Sequence, residues 1–271
     1  MKRSVFYISE GTGITAESLG RSLLTQFEGI TFQQNILPFV DTPEKAADAV
    51  QRIDHAAEKD GCRPLVFSTL IRRDLREIIT RTKGVIYDFF ETFTSPLEAE
   101  FGIAASRQPG RSHSLHNYNA YVARIGALHY ALSNDDGMPA SNYAMADVIV
   151  IGVSRSGKTP TCLYLALQHG IHAANYPLTE EDLATTRLPA QLKPYRDKLI
   201  GLTIRPERLQ QIRNGRRPDS RYADVKQCAS EIAAAQEMFH REKIRFLDST
   251  FASVEEIATS ILHELGLKRR V

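Results

Sequence analysis

Residues 152–159 read G-V-S-R-S-G-K-T, which is the Gly-x-x-x-x-Gly-Lys-Thr pattern of a Walker A phosphate-binding loop. Two glycines let the backbone curl so that its N–H groups point at phosphate oxygens, and the helix that follows adds the positive end of its dipole. We expect Lys158 to hold the terminal phosphate and Thr159 to offer its hydroxyl to Mg²⁺. The candidate nucleotide contacts are Gly152, Val153, Ser154, Arg155, Ser156, Gly157, Lys158 and Thr159.

The Walker A pattern stands where such a loop is needed, between a strand and a helix. Residues 147–151 read D-V-I-V-I, a run typical of a buried parallel strand, and an apolar helical segment continues to Gly170. A glycine-rich turn without a ligand is the alternative interpretation. The nucleophile elbow Gly-x-Ser-x-Gly is excluded because position 156 is a serine.

The composition is that of an ordinary enzyme of the cytoplasm. The chain has 271 residues, 42% hydrophobic and 24% charged, with a formal net charge of +2. This length predicts one large or two modest domains, and the small net charge favours neither nucleic acid nor a membrane as partner. Cys62, Cys162 and Cys228 are too widely spaced to indicate a disulfide framework or a zinc site, and no signal-peptide pattern precedes the first strand.

Strand-like and helix-like segments alternate along the first hundred residues, which predicts a parallel sheet covered by helices. The expected strands are 4–8, 30–37, 64–69 and 85–90. We predict an α/β fold with two parallel-sheet units, of which the C-terminal one is a P-loop nucleotide-binding domain. The predicted limits are 1–103 for the N-terminal domain, 104–146 for a loop-rich and helical connector, and 147–271 for the P-loop domain.

Beyond the Walker A region we expect a strand at 198–204, an arginine-rich helical stretch at 205–221, a helix at about 223–242 and a strand at 243–248. Ser253-x-x-Glu256 is a capping box that begins the last helix. The arginine-rich stretch is typical of a solvated helix face, and in a phosphoryl-transfer protein it also suits a lid or a dock for an acidic partner. For Arg205, Arg213 and Arg217 we expect a role in docking or lid closure.

A second glycine loop follows the first strand. Gly11-x-Gly13-x-x-Ala16 satisfies the loose dinucleotide-binding fingerprint, but the acidic residue that should close the next strand, Asp41, comes late and among prolines. A nicotinamide or flavin site, a second phosphate or partner loop, and a plain tight turn all remain open for this segment.

Several polar residues are candidates for proton transfer or metal binding. Asp136, in Asp135-Asp136-Gly137, could act as a base or as a Mg²⁺ ligand, and the same residues could equally form a turn. Asp248, at the end of a predicted strand, could orient Mg²⁺ or belong to a turn. His113, in His113-x-x-His116, could act as a general base or contact phosphate, although a surface histidine is the simpler interpretation.

The chain also resembles a known family over nearly its whole length. The resemblance rests on V-F-Y-I-S-E-G-T-G-I-T-A-E at 5–17, G-V-S-R-S-G-K-T-P-T-C-L-Y-L-A at 152–166, A-A-N-Y-P-L at 173–178 and S-R-Y at 220–222. These segments resemble the pyruvate, phosphate dikinase regulatory proteins, a family that includes regulators of phosphoenolpyruvate synthase.

The resemblance implies a bifunctional serine/threonine kinase and phosphorylase. It implies transfer of phosphate from ADP to a threonine of phosphoenolpyruvate synthase, removal of that phosphate with inorganic phosphate as acceptor to give pyrophosphate, and a homodimer. Lys158 and Arg155, with Mg²⁺, would then hold the transferred group. Two other functions stay open: a P-loop kinase for a small molecule, and a nucleotide-sensing regulator that does not catalyse a reaction.

Overall fold

The computed structural model describes residues 2–108, 118–136, 142–218 and 220–270. The chain divides into two compact units, Met1–Ser114 and Leu115–Val271. Each unit is built on a four-stranded parallel sheet, which confirms the prediction of two parallel-sheet α/β units. His113 and His116 lie outside the described residues.

In the first unit the strands and helices alternate strictly. The elements are β1 (Lys2–Ile8), α1 (Ile14–Leu24), β2 (Thr31–Leu37), α2 (Pro43–Asp60), β3 (Leu65–Ser68), α3 (Arg73–Ile79), β4 (Val85–Asp88) and α4 (Phe89–Phe101). The strand order is β2-β1-β3-β4, with every pair parallel.

Both faces of this first sheet are buried. Phe6 and Ile8 pack with residues of α2 and α3 on one face, and Val5 and Tyr7 pack with residues of α1 on the other. This alternation follows from the period of two in a strand, because neighbouring side chains point to opposite faces.

The second unit contains the Walker A segment. Its elements are α5 (Tyr118–Ser133), β5 (Val148–Gly152), α6 (Lys158–His169), β6 (Ala173–Pro177), α7 (Glu180–Thr185), β7 (Leu199–Thr203), α8 (Pro206–Asn214), α9 (Val225–Glu242), β8 (Phe246–Asp248) and α10 (Val254–Glu264). Short 3₁₀ helices lie at Tyr143–Met145, Ala190–Lys198 and Arg221–Ala223. The strand order is β6-β5-β7-β8, again all parallel.

β5 is buried along its whole length at the centre of the second sheet. Ile149 and Ile151 join the cluster that includes α9, whereas Val148 and Val150 join the cluster that includes α6 and α10. Helices on both faces exclude water from the sheet, so its carboxyl-terminal edge, where loops replace helices, is where a ligand can reach β5.

The structure differs from the sequence expectations at several elements. The strand predicted at 85–90 ends at Asp88, because the Asp88 side chain accepts a hydrogen bond from the Glu91 N–H and caps α4. The helix predicted at 205–221 ends at Asn214. β6 was not predicted, whereas the capping box of Ser253 and Glu256 is confirmed at the start of α10.

Within the described residues, no helix combines the length and the apolar character needed to cross a membrane.

Candidate functional site

Residues 152–157, called here the glycine loop, connect β5 to α6 at the carboxyl edge of the second sheet. The chain leaves β5 to form β6 on one side and later returns to form β7 on the other side. Strand order therefore reverses beside β5, and ligands of open α/β sheets bind in the crevice at such a reversal.

Both glycines of the loop are required by its backbone. A Cβ atom on Gly152 would lie 2.5 Å from the carbonyl oxygen of Leu202 on the neighbouring strand, so β5 and β7 approach each other there only without a side chain. Gly157 has φ of 96° at the N-cap of α6, a left-handed conformation that glycine adopts without strain. Arg155 also has a positive φ of 74°, which marks a tight turn at the middle of the loop.

Lys158 directs its side chain back into the glycine loop. The residue is only 5% exposed, and its ammonium donates a hydrogen bond of 2.8 Å to the carbonyl oxygen of Val153. Burial lowers the pKa of Lys158 to about 8, although the nearby carboxylates of Asp136 and Asp135 oppose this effect. A buried ammonium with one carbonyl partner has donors left for an anionic ligand.

Thr159 lies in a polar cluster with Asp135 and Asn175. Thr159 and Asp135 were identified from the sequence, but Asn175 was not. Its hydroxyl donates a hydrogen bond of 3.0 Å to Asp135, and the amide of Asn175 donates to both Asp135 and Thr159. Asn175, on β6, is 1% exposed. The only sequence signal for it was a polar residue inside the apolar segment A-A-N-Y-P-L.

The cluster offers ligands that suit Mg²⁺. Asp135 supplies a carboxylate and Thr159 a hydroxyl, and the buried Oδ1 of Asn175 has no hydrogen-bond partner in the part of the chain that the structure describes. Mg²⁺ usually takes one or two carboxylates and completes its shell with water and substrate phosphates. The described residues contain no group of three His, Cys, Asp or Glu side chains arranged around a metal position.

Asp248 is the last residue of β8, and its carboxylate takes part in the turn that follows. Its carboxylate accepts hydrogen bonds from the backbone N–H and the hydroxyl of Thr250, which shapes the turn after β8. The hydroxyl of Thr159 is bonded to Asp135 instead. A metal role for Asp248 stays a prediction.

Arg213 is the largest fully buried side chain among the described residues, so the expectation that it docks a partner or closes a lid is wrong. Its guanidinium donates to the carbonyl oxygen of Ser154 at 3.1 Å and to the carboxylate of Glu231 at 2.6 Å, and it stacks over the ring of Tyr222. The hydroxyls of Tyr222 and Ser154 are also within hydrogen-bond distance, 2.9 Å. Arg213 and Tyr222 therefore hold the glycine loop at Ser154.

The glycine loop opens on a cavity of about 830 Å³ within the second unit. Residues 154–157 of the loop form one wall together with Lys158 and Thr159 of α6, and Asp136 lies on the same cavity. Its wall also includes residues of α8, of the segment that follows α8, of the turn after β8 and of α10; among them are Arg208, Arg216, Phe251 and Ile257. Arg208 and Arg216 thus belong to the cavity, unlike Arg213.

In the first unit, the loop that contains Gly11 and Gly13 has the carboxylate of Glu10 beside it. The carboxylate of Glu10 accepts hydrogen bonds from the backbone N–H groups of Ile71 and Arg72, at 3.3 and 2.9 Å. Asp41 forms an ion pair with Lys45. Because the negative charge of Glu10 lies beside the loop and repels a second anion, the first unit is the weaker candidate for binding phosphate.

Comparison with known proteins extends over almost the whole chain. The family model described as kinase/pyrophosphorylase matches residues 5–262. A protein of Marinobacter nauticus is 55% identical over 269 residues, with 99% of each chain covered. Proteins of Stutzerimonas stutzeri and Pseudomonas aeruginosa are each 53% identical, covering all of this chain and 100% and 98% of the relatives. All three relatives are provisionally named phosphoenolpyruvate synthase regulatory proteins.

Proposed function

This chain belongs to the kinase/pyrophosphorylase family, and from that premise we propose that it is a bifunctional phosphotransferase acting on phosphoenolpyruvate synthase. In the kinase direction, the hydroxyl oxygen of a threonine on the synthase attacks the β-phosphorus of ADP. The bond from that phosphorus to the bridging oxygen breaks, and AMP leaves with the bridging oxygen. In the other direction, an oxygen of inorganic phosphate attacks the phosphothreonine, the bond to the threonine oxygen breaks, and pyrophosphate forms.

The observation that carries the proposal is the buried ammonium of Lys158 inside the glycine loop, on the wall of the cavity. Both directions need a site for two linked phosphate groups, which are those of ADP in one direction and of the nascent pyrophosphate in the other. Phosphoryl transfer depends mainly on positioning and on neutralising the charge of the transferred group. In this proposal Lys158 and Arg155 neutralise that charge, and the N–H groups of the glycine loop hold the phosphate oxygens.

Asp136 is our proposed base because it lines the same cavity as Lys158. It would accept the proton of the threonine hydroxyl in the kinase direction and return a proton to the threonine oxygen in the other direction. Thr159 and Asp135 would hold Mg²⁺, which when bound neutralises charge on the phosphate oxygens. The alternative base, His113, lies outside the described residues and stays a prediction.

The synthase as target is supported by the names of the relatives, and ADP as donor is supported by the family resemblance. The loop by itself favours neither ADP nor ATP. We therefore propose ADP and inorganic phosphate as co-substrates on the resemblance, and we propose the geometry around Lys158 as the common phosphate site.

The test is to incubate the purified protein with phosphoenolpyruvate synthase in two separate reactions. With ADP we expect phosphothreonine on the synthase and release of AMP, and with inorganic phosphate and the phosphorylated synthase we expect pyrophosphate. ATP freed of ADP should give no modification, so equal rates with ADP-free ATP would contradict the choice of donor. ATP consumption with a metabolite and no protein substrate would indicate a small-molecule kinase, and nucleotide-dependent binding without AMP or pyrophosphate would indicate a regulator without catalysis.

A further inference from the structure

The cavity beside the glycine loop is larger than a phosphate site alone requires. Its volume of about 830 Å³ lies within the range of roughly 300–1,000 Å³ that is typical of pockets for whole small-molecule ligands. Away from the loop its wall is partly apolar, with Ile204, Ile212, Phe251, Val254 and Ile257. Apolar groups give no favourable contact to phosphate oxygens, so this part of the cavity is suited to a different part of a ligand.

Phe251 is the most exposed of these apolar side chains. It is 83% exposed, the highest value among the large hydrophobic residues of the described chain. The guanidinium of Arg205 lies 5.2 Å from the centre of its ring, and Arg205 is not one of the residues that line the cavity. The ring is thus supported by a cation–π contact while it presents apolar surface to the cavity.

The backbone that bears Phe251 is fixed. Thr250 accepts a hydrogen bond of 2.9 Å from the N–H of Arg205 through its hydroxyl oxygen, and the carboxylate of Asp248 accepts from the N–H of Thr250. One residue earlier, the hydroxyl of Ser249 donates to the carbonyl oxygen of Ser156 at 2.8 Å. Ser156 belongs to the glycine loop, so the turn with Phe251 and the loop are hydrogen-bonded to each other.

We infer that Phe251 is the stacking surface for the base of a nucleoside diphosphate whose phosphates lie in the glycine loop. The inference rests on the proposed function, because it takes the glycine loop as the phosphate site. An aromatic ring attracts any nucleobase through its π-face, so Phe251 contributes affinity for the nucleoside part and no contact to the phosphates. Phe251 is therefore a nucleotide-binding residue for the kinase direction only, since inorganic phosphate has no base.

The experiment measures the dissociation constants of ADP and of inorganic pyrophosphate by calorimetry for the full chain and for Phe251→Ala. Loss of one stacked base typically weakens binding by about 5- to 150-fold, which we expect for ADP, whereas the constant for pyrophosphate should change less than about twofold. Phe251→Trp should bind ADP at least as well as the unmodified protein. The control is Met145→Ala, which should change neither constant. Met145 lies in the same unit and is 58% exposed, but it does not line the cavity.

The two ligands separate the inference from the proposed function. Equal weakening of ADP and pyrophosphate in Phe251→Ala, or no weakening of either, would overturn the stacking role. Binding of pyrophosphate but not of ADP by the unmodified protein would overturn it as well while leaving the phosphate site in place. Binding of neither ligand would overturn both. Thermal unfolding curves of all variants check folding, which an exposed side chain should not affect.

Discussion

Lys158 is the residue on which both proposed reactions depend. Its ammonium is buried and bonded to the glycine loop, where it would contact the transferred phosphoryl group whichever oxygen attacks. We predict that Lys158→Met lowers the ADP-dependent and the phosphate-dependent rates together, each by about 10²–10³-fold, the usual effect of removing one preorganised charge contact. The unfolding curve of the variant is compared with that of the unmodified protein first, and both rates are then measured. We expect the variant to fold normally, because methionine matches the alkyl stem of lysine.

Comparing the rates of the two reactions in Lys158→Met distinguishes one phosphate site from two. If the variant lost phosphorylation yet formed pyrophosphate at the normal rate, the two reactions would use separate sites. The loop from Ser9 to Thr15 would then be the next candidate, although the carboxylate of Glu10 already accepts from the amides of Ile71 and Arg72.

The depressed pKa of Lys158 predicts a pH dependence with a definite sign. Burial lowers this pKa to about 8, so the free enzyme loses the positive charge as pH rises through about 8. We expect kcat/KM for ADP, which reports on the free enzyme, to fall above that pH. The measurement is a pH profile between 6.5 and 9.5 in both directions, and a profile that stayed flat across pH 8 would contradict it.

Deprotonation of Lys158 should also raise the stability of the ligand-free protein as pH rises, whereas it lowers kcat/KM. Between about pH 8 and the ordinary lysine pKa of about 10.4, the unfolded chain keeps the proton that folded Lys158 has lost. The unfolded state then binds more protons, so the contribution of this group to the free energy of unfolding rises with pH in that window and is lost as pH falls through 8. The difference between the unmodified protein and Lys158→Met isolates this contribution.

At the scale of elements, α8 and α9 position the glycine loop through Arg213. Its guanidinium is hydrogen-bonded to Ser154 and forms an ion pair with Glu231. The charges of Arg213 and Glu231 are both largely removed from water. Removing one partner of a buried pair leaves the other charge uncompensated, so we predict that Arg213→Met lowers the free energy of unfolding by about 3–5 kcal/mol. Urea unfolding of the ligand-free variant and of the unmodified protein measures this difference in the free energy of unfolding.

Arg217→Met is the matched control for Arg213→Met. Arg217 belongs to the same arginine-rich segment but is exposed, so its replacement should change the free energy of unfolding by less than about 0.5 kcal/mol. Similar losses for the two variants would contradict the positioning role that we assign to Arg213.

The elements of the site differ in how well the sequence predicts them. The glycine loop was predictable because its residues are contiguous and a buried strand and an apolar helix flank them. The contribution of Asn175 was not, since it depends on β6 pairing with β5, a contact set by the tertiary fold. Arg213 was misassigned for a related reason: an arginine run is typical of a solvated face, and only the position of Glu231 on α9 shows which arginine is buried.

At the scale of the whole molecule, the two sheets have the same strand order relative to the chain, with the first strand of each unit in the second position. The alternation of strands and helices predicted that the sheets would be parallel, but the order of the strands within each sheet was not predicted. α4 was not predicted, because F-F-E-T-F continues the apolar run of β4 and only the cap by Asp88 separates helix from strand. α4 also carries large apolar side chains that are exposed.

The apolar stripe of α4 consists of Phe90, Phe93, Leu97 and Phe101, spaced three, four and four residues apart, so it lies on one face of the helix. All four side chains are exposed, by 41–66%. The family resemblance implies a homodimer, and on α10 the apolar residues Ile257 and Ile261 are already buried in the core of the second unit. We therefore predict that α4 contacts a second copy of the chain.

Phe93→Glu tests this dimer surface, because a carboxylate at the centre of an apolar interface would be buried without a partner. We expect the dissociation constant of the dimer to rise by more than about 100-fold, so that light scattering after size exclusion at micromolar concentration shows a monomer. Phe251→Glu, which places the same charge on an exposed phenylalanine of the other unit, should leave the dimer intact. A Phe93→Glu protein that remained dimeric would assign the interface to another surface, and a monomeric unmodified protein would contradict the homodimer itself.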